Sequence, residues 1–279
     1  MDFIQTILMG IVQGLSEFLP ISSSAHLVFT SNFYKIFKGV EVIQNSNQEV
    51  FLDIMLHIGT LIAVFIYFKK DIKAILKALF EGFFYGKKDA EDYKTGIYII
   101  WGTVITVLIA GPLSPIAEKL VFRPDIVGFL LIITGFILLL SESIAKKNKN
   151  KLPIEHKNSC IIAIAQGLAS LPGFSRSGLT IAAGLLSGTD RITVARYSFL
   201  LSIPIILGAS IFYPILTIDF NEVYKFSWLE IITGTVVSGV VGYLCIKYFL
   251  KFLSKFSLAV FGYYCLTVGI ITAIFFSLQ

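Results

Sequence analysis

The chain has 279 residues, of which 56% are hydrophobic and 15% are charged, and its mean hydropathy is +0.81. A soluble domain carries about 25% charged residues, so this composition excludes an ordinary soluble fold and favours a protein embedded in lipid. The net charge of +5 does not indicate nucleic-acid binding, because the basic residues form short clusters between apolar runs. The three cysteines lie in or beside apolar segments and predict neither a disulfide framework nor a zinc site.

Each half of the chain begins with an apolar stretch that is interrupted by polar residues. Residues 2–35 are interrupted at Pro20 and the serines after it, and residues 158–189 are interrupted at Pro172 and Arg176. We predict two short helices in each stretch. A break at membrane depth is tolerated only where protein buries it or where it lines an aqueous cavity. Both stretches are therefore predicted to be re-entrant helical hairpins; the alternative is two ordinary spans joined by a short loop.

The remaining apolar sequence predicts six membrane spans, because a helix needs about 20 apolar residues to cross a bilayer. These spans are residues 51–68, 94–112, 123–141, 192–214, 228–250 and 258–277. Three of them follow each interrupted stretch. The predicted fold is thus an all-α integral membrane protein with six transmembrane helices and two re-entrant hairpins.

The two interrupted stretches resemble each other in order and spacing. Each contains Gln-Gly-Leu, then Leu-Pro, then a polar triplet that begins with serine. These elements lie at 13–15, 19–20 and 22–24 in the first stretch and at 166–168, 171–172 and 175–177 in the second. Repetition at half-length is typical of duplicated membrane folds. The sequence therefore predicts a single domain, 1–279, made of a first repeat, 1–141, and a second, 158–279.

The lysine distribution predicts how the repeats are oriented. Residues 69–93 and 142–157 are lysine-rich connections, and more lysines flank the end of the fifth span. The positive-inside rule puts these segments in the cytoplasm, although Lys35 and Lys38 oppose it near the connection 36–50. The first hairpin then enters from outside and the second from the cytoplasm, so the repeats are inverted and their polar tips meet near the midplane.

The first interruption carries an acid, hydroxyl groups and an imidazole. Gln13 and Glu17 are four residues apart and share a helix face. A carboxylate in a membrane segment is costly and is by default a functional candidate; a paired structural acid is the alternative. Ser23 and His26 are three residues apart, which suggests a nucleophile and its base. The alternative is that the serine only hydrogen-bonds backbone carbonyls.

The second interruption carries the features of a phosphate site. The half-helix after Pro172 begins with free backbone N–H groups, and the N-terminus of a helix with serine and arginine favours a bound phosphate. Its polar candidates are Gly173, Ser175, Arg176, Ser177 and Thr180. Arg176 needs an anionic partner at membrane depth. That partner is either Glu17 or a substrate phosphate, and a purely structural ion pair remains the alternative.

A third polar pair lies in the first full span. Asp53 and His57 are four residues apart and share a helix face, where they can line the same cavity as the interruptions. The alternative is a role in helix packing.

These residues resemble a known family. QGLSEFLPISSSAH (13–26) resembles the glutamate-rich motif of the undecaprenyl-diphosphate phosphatases, also called the bacitracin-resistance family. PGFSRSGLT (172–180) resembles that family's second signature, and FLDIMLHIGTLIAV (51–64) is also similar. The resemblance covers the chain in order and spacing. It implies hydrolysis of undecaprenyl diphosphate to the monophosphate and phosphate, which recycles the lipid carrier of peptidoglycan synthesis and confers bacitracin resistance.

The resemblance also implies residue roles. Glu17 and His26 match the essential acid and histidine, Ser23 matches a serine proposed as nucleophile, and Arg176 matches the phosphate-binding arginine. The residues expected around the phosphate are Gly173, Ser175, Ser177 and Thr180. Gln13 stands where many members have a glutamate. The resemblance therefore implies Glu17 alone, or Glu17 with Asp53, as the contact of a divalent cation, Mg²⁺ or Ca²⁺.

Two questions stay open at the level of sequence. The nucleophile is either Ser23 with His26 as base, or His26 itself, or a water that His26 activates. The main rival function is a transporter or flippase of a prenyl phosphate, because secondary transporters also use inverted repeats with broken helices. We expect a multi-pass protein of the bacterial cell membrane, with undecaprenyl diphosphate and the bilayer as partners, an active site open to the extracytoplasmic side, and a homodimer as a possible assembly.

Overall fold

The computed structural model describes residues 3–39, 47–146, 152–218, 223 and 226–278. Within these residues the protein forms eleven α-helices and no β-strand, which confirms the all-α prediction. The helices are α1 Phe3–Ser16, α2 Ser23–Phe37, α3 Asn47–Tyr67, α4 Lys69–Tyr85, α5 Glu91–Leu120, α6 Pro124–Ala145, α7 His156–Leu168, α8 Arg176–Leu186, α9 Arg191–Thr217, α10 Trp228–Leu253 and α11 Ala259–Ser277. Parts of the predicted connections 36–50 and 142–157, and the chain ends, lie outside the described residues.

Six helices in the described part of the chain are long and apolar enough to cross a membrane: α3, α5, α6, α9, α10 and α11. Each overlaps one predicted span, so a multi-pass membrane protein is confirmed. The largest difference between a predicted span and the observed helix is in α5, which continues beyond the predicted end at 112 to Leu120, through Pro112 and Pro115. A proline removes one backbone donor and bends a helix, but in an apolar environment the other backbone groups are satisfied only by remaining helical.

The prediction that residues 69–93 form a connection is wrong for their first part, which is α4. Its lysines lie on one face, and Ile75 and Gly82 are buried on the other. The ring of Tyr93, at the start of α5, lies directly against Gly82, where a Cβ would clash. The sequence of this amphipathic helix was interpreted as a connection because it is highly charged and has too few apolar residues for a span. Its apolar residues are sufficient to pack on α5.

Both interrupted stretches consist of two short helices. The breaks lie between α1 and α2, at 17–22, and between α7 and α8, at 169–175. Each second helix starts in the same way. The hydroxyl of Ser22 accepts a hydrogen bond from Ala25 N at 3.3 Å, and that of Ser175 accepts one from Gly178 N at 3.1 Å. Serine is a preferred N-cap because its oxygen satisfies an otherwise unpaired N–H group.

Each broken stretch packs on a span that follows the other one. Helix α1 lies along α10, and α7 lies along α5. The glycine of each Gln-Gly-Leu is at the contact: a Cβ at Gly14 would be 2.7 Å from the Val241 side chain, and one at Gly167 would be 2.6 Å from that of Ile109. Small residues let membrane helices approach closely. The two glycines therefore hold the breaks against the opposite halves of the chain.

Helices α6 and α11 also cross at reciprocal glycine contacts. A Cβ at Gly135 would be 2.8 Å from the carbonyl oxygen of Gly262, and one at Gly269 would be 2.7 Å from that of Gly128. The glycines are separated by the same interval in both helices, and the helices run antiparallel at these contacts. The middle of α6 contacts the second break through Thr134, and the second turn of α11 contacts the first break through Cys265.

Candidate active site

Glu17 lies at the centre of the polar region, in the first break. Its side chain is only 5% exposed, and both carboxylate oxygens have partners. Arg176 Nη2 donates to Oε1 at 2.6 Å, while Ser23 Oγ and Gln13 Nε2 donate to Oε2 at 2.8 and 3.0 Å. Glu17 therefore joins the two broken stretches, which are far apart in sequence.

The local structure explains why an anion is favoured here. Ser23 and Arg176 are the first residues of α2 and α8, so the N-terminal ends of two helices meet at one carboxylate. Helix N-termini carry unpaired N–H groups and a partial positive charge. The breaks are also tied to each other, because Ser177 Oγ donates to the carbonyl oxygen of Leu19 at 2.9 Å. The result is a buried site that stabilises negative charge.

His57 completes the surroundings of Glu17. Its Nε2 lies 3.8 Å from Glu17 Oε2, and its Nδ1 lies 2.7 Å from the carbonyl oxygen of Asp53. Since a carbonyl only accepts hydrogen bonds, the Nδ1 of His57 carries a proton. The side chain of Asp53 lines the adjoining cavity. The predicted third pair thus contributes the imidazole of His57 to the centre and a carboxylate to the cavity.

The structure corrects the predicted pairing of Ser23 with His26. The Ser23 hydroxyl donates to Glu17, because a charged carboxylate is a stronger acceptor than a neutral imidazole. The two ring nitrogens of His26 are 2.8 Å from other oxygens: Nδ1 from the Ser22 carbonyl and Nε2 from the Tyr264 hydroxyl. Ser22 has a positive φ of 70°, which turns the chain sharply before α2. The serine and the histidine therefore have different partners.

The second break is held by α6. Gly173 has φ 101°, and a Cβ there would lie 2.5 Å from the carbonyl oxygen of Val127, so only glycine fits. The Thr134 hydroxyl donates to the carbonyl of Gly173 at 3.2 Å and accepts from Ser175 N at 3.3 Å. These contacts fix the backbone that leads into α8. Gly173 and Ser175 thus shape the site through the backbone.

Thr180 supports α8 from within the protein. It is fully buried, and its hydroxyl lies 2.7 Å from the Arg176 carbonyl and 2.6 Å from Ser198 Oγ. Its contacts therefore hold the first turn of α8 against α9. Together with the contact of Ser177 to Leu19, this leaves the guanidinium of Arg176 as the main chemical group that the second stretch presents.

Two polar atoms of the site are buried and have no hydrogen-bond partner among the described residues: Arg176 Nη1 and Gln13 Oε1. An unpaired buried polar atom costs about 1–3 kcal/mol, so each one needs an explanation. Arg176 Nη1 is a donor that an added anion satisfies. Gln13 Oε1 is an acceptor that a cation or a donor group satisfies. Both atoms belong to side chains that contact Glu17.

A cavity of about 330 Å³ leads to this cluster. It is formed by α1, one side of α2, the first half of α3, the corner between α5 and α6, and the end of α11. Its lining includes Ser24, Lys35, Asp53, His57, Phe122 and Phe276. The inner end lies at Ser24 and His57, next to Ser23 and Glu17. The part of the wall from the α5–α6 corner and α11 is apolar, while α2 and α3 contribute polar side chains, so the cavity suits an amphiphilic ligand.

Comparison with known proteins identifies the family. Residues 6–271 match the family described as bacitracin resistance protein BacA. The chain belongs to this family. The BacA-family chain is 40% identical to the undecaprenyl-diphosphatase of Halothermothrix orenii over 279 residues, covering 98% of both proteins. It is 38% identical to that of Methanobrevibacter smithii over 97% of this chain and 96% of the relative. With undecaprenyl-diphosphatase 1 of Pseudoalteromonas translucida the identity is 34% over the full length of both.

These matches confirm the resemblance of the sequence motifs. The structure adds two residues that the sequence did not indicate, Thr134 at the second break and Tyr264 beside His26. Each lies within an apolar span, where a threonine or tyrosine gives no particular signal. Only the packing of α6 and α11 against the breaks makes them part of the site.

Proposed function

We propose that this chain hydrolyses undecaprenyl diphosphate to undecaprenyl phosphate and inorganic phosphate. Its membership of the BacA family and the names of its full-length relatives support this activity. The observation that carries the proposal is the guanidinium of Arg176: its Nη2 contacts Glu17, while its buried Nη1 has no hydrogen-bond partner among the residues that the structure describes. The reaction returns the lipid carrier to peptidoglycan synthesis and confers resistance to bacitracin.

We further propose that α1–α2 and α7–α8 are re-entrant hairpins of two inverted repeats, over residues 1–141 and 158–279. The reciprocal packing supports this arrangement, since α1 lies on α10, α7 lies on α5, and α6 crosses α11 at paired glycines. The contacts of Thr134, in the middle of α6, with the second break support a position of that break at mid-depth.

The active site is proposed to open on the extracytoplasmic side of the cell membrane. The cavity lies among the ends of α2, α3, α5 and α6 that are opposite to the lysine-rich helix α4. The positive-inside rule assigns α4 to the cytoplasm. The diphosphate then enters from outside, and the prenyl chain stays along the apolar wall.

In the proposed mechanism, the terminal phosphate binds at the two helix N-termini. Arg176 Nη1 donates to it, and the guanidinium stabilises the charge that develops on the phosphate oxygens in the transition state. Such preorganised donors act strongly in a site that excludes water. The ion pair with Glu17 holds Arg176 in the orientation that this contact needs.

The Ser23 hydroxyl is the proposed nucleophile, and Glu17 Oε2, to which it donates, is the base. As Ser23 Oγ attacks the terminal phosphorus, its proton passes to Glu17 and the bond to the bridging oxygen breaks, which releases undecaprenyl phosphate. Water then attacks the phosphoserine and releases inorganic phosphate. In the rival version, His26 is the nucleophile or activates the water directly.

The site also suits a divalent cation, Mg²⁺ or Ca²⁺. Glu17 and the unpaired Gln13 Oε1 would hold it, with the remaining oxygen ligands supplied by the substrate phosphates. When bound, such an ion neutralises phosphate charge and polarises the reacting group. Asp53 lines the cavity through which such an ion would reach Glu17.

Phosphate release from the purified protein in lipid nanodiscs tests the proposed function. With undecaprenyl diphosphate as substrate, the wild-type protein is expected to release inorganic phosphate, and Arg176→Ala is expected to release almost none. Binding of the lipid without release by the wild type would instead support the alternative, a transporter or flippase of a prenyl phosphate.

A further inference from the structure

The position of His26 is defined by two oxygens on opposite edges of its ring. Its Nδ1 is 2.8 Å from the carbonyl oxygen of Ser22, which only accepts hydrogen bonds, so Nδ1 carries the proton in the neutral ring. Nε2 is then the unprotonated nitrogen, and the Tyr264 hydroxyl, 2.8 Å away, donates to it. Any proton that His26 accepts must therefore arrive at Nε2, where Tyr264 already lies.

Tyr264 also fixes the plane of the imidazole. The two rings are stacked, with centroids 5.6 Å apart and an angle of 12° between their planes. The next residue, Cys265, is buried and its thiol donates to the carbonyl of Pro20 at 3.4 Å. Helix α11 is thus anchored to the first break, and this anchoring keeps the phenol ring over His26.

We propose that Tyr264 is a positioning residue of the phosphatase reaction. It holds His26 in the tautomer that is protonated at Nδ1, so that Nε2 is the nitrogen that takes part in the reaction. The inference rests on the proposed function, in the version of the mechanism where His26 is the nucleophile or activates the attacking water. A phenol hydroxyl donates a hydrogen bond to neutral Nε2, and after rotation of its O–H bond it accepts one from protonated Nε2. Tyr264 can therefore hold the imidazole of His26 in the same position whether Nε2 is protonated or not.

The first test compares two conservative variants of neighbouring tyrosines. Tyr264→Phe keeps the stacked ring and removes only the hydroxyl. We expect kcat for phosphate release to fall roughly tenfold, which corresponds to the loss of one hydrogen bond, with little change in KM. The matched control is Tyr263→Phe. Tyr263 is 64% exposed and faces away from the protein interior, so this variant should retain the wild-type kcat.

The second test observes the imidazole directly in the protein without substrate. The chain has three histidines, so ¹⁵N-histidine labelling gives a simple spectrum in which His26→Gln assigns the signals of His26. In the wild type we expect a protonated Nδ1 and an unprotonated, hydrogen-bonded Nε2. Tyr264→Phe should shift the Nε2 signal downfield, towards that of a nitrogen without a donor, while Tyr263→Phe should not. The melting temperature of both variants controls for folding.

The outcomes separate this inference from the proposed function. A wild-type protein that releases phosphate, with Tyr264→Phe unchanged in both kcat and the Nε2 signal, would overturn the role of Tyr264 and leave the phosphatase activity intact. A shift of the Nε2 signal without a fall in kcat would show a contact that positions nothing needed for the reaction, and would also overturn it. A wild-type protein without phosphate release contradicts the proposed function, whatever the spectrum shows.

Discussion

Two buried glutamates, Glu17 and Glu142, pair with partly exposed arginines in different parts of the molecule, and only one pair has the features of an active site. In the pair at the end of α6 and the start of α9, Arg191 contacts both carboxylate oxygens of Glu142, at 2.7 and 2.5 Å, and Leu258 N donates to the same carboxylate. In the other pair, Arg176 Nη2 contacts Glu17, and the buried Nη1 has no hydrogen-bond partner in the described part of the chain.

The difference shows how a structural pair is told from a functional one. Both carboxylate oxygens of Glu142 accept hydrogen bonds from the protein itself, and these bonds connect the starts of α9 and α11 to the end of α6. The pair of Glu17 and Arg176 lies beside a cavity and between two helix N-termini, and it leaves a buried donor unused. A buried ion pair is weak evidence for stability as such, whereas an unused donor indicates a ligand.

The largest expected effect on phosphate release comes from Glu17→Gln. This change keeps the size of the side chain but removes the base and the anion that orients Arg176. We expect phosphate release to fall about 10⁴-fold, the upper range for loss of a general base. A rate close to that of the wild type would contradict the central position of Glu17.

Ser23→Ala and His26→Ala distinguish the two versions of the mechanism. If Ser23 is the nucleophile, its substitution should lower phosphate release by about 10³-fold, and a ³²P-labelled terminal phosphate should label wild-type protein but not this variant. The serine version fails if Ser23→Ala keeps near-normal turnover while His26→Ala loses it.

A smaller effect is expected from Thr134→Val, which preserves the shape of the side chain. It removes the hydroxyl that holds Gly173 and Ser175, two hydrogen bonds worth about 1 kcal/mol each. We expect kcat/KM to fall roughly tenfold, because the start of α8 becomes less ordered around the phosphate. Thr134→Ser keeps the hydroxyl and serves as the control; equal loss in both variants would argue against these hydrogen bonds.

The smallest effect on turnover is expected from Glu142→Gln, in the structural pair. Removing this charge weakens the hydrogen bonds that the buried carboxylate accepts from the partly exposed Arg191, which destabilises the folded protein by about 1–3 kcal/mol. Thermal unfolding in detergent should show the lower stability, while phosphate release per folded molecule stays at the wild-type rate. A variant with normal stability and low turnover would contradict the distinction between the two pairs.

The sequence predicted much of this architecture, for physical reasons that are local. Long apolar runs predicted the spans, and Pro20 and Pro172 with the serines after them predicted where α2 and α8 begin. The need of a buried arginine for an anion made Glu17 a candidate partner of Arg176, and the structure confirms this contact. The first two inferences depended on composition and spacing within a single segment, and the third on the cost of leaving a charge unpaired at membrane depth.

The remaining features depend on contacts between distant segments. The predicted contact of the Ser23 hydroxyl with His26 was wrong, because spacing alone does not show that the charged carboxylate of Glu17 is a better acceptor than a neutral imidazole. Tyr264 and Thr134 reach the site only through the packing of α11 and α6. Helix α4 was missed because its apolar face is completed by Tyr93 of the next helix.

The central claim is that the pair of Glu17 and Arg176 is the phosphate site and that the pair of Glu142 and Arg191 is not. The most direct test measures phosphate release from undecaprenyl diphosphate by wild type, Arg176→Ala and Arg191→Ala in nanodiscs, corrected for the folded fraction. We predict a loss of about 10³-fold for Arg176→Ala and wild-type turnover for folded Arg191→Ala. Equal losses in both variants, or full activity of Arg176→Ala, would contradict the claim.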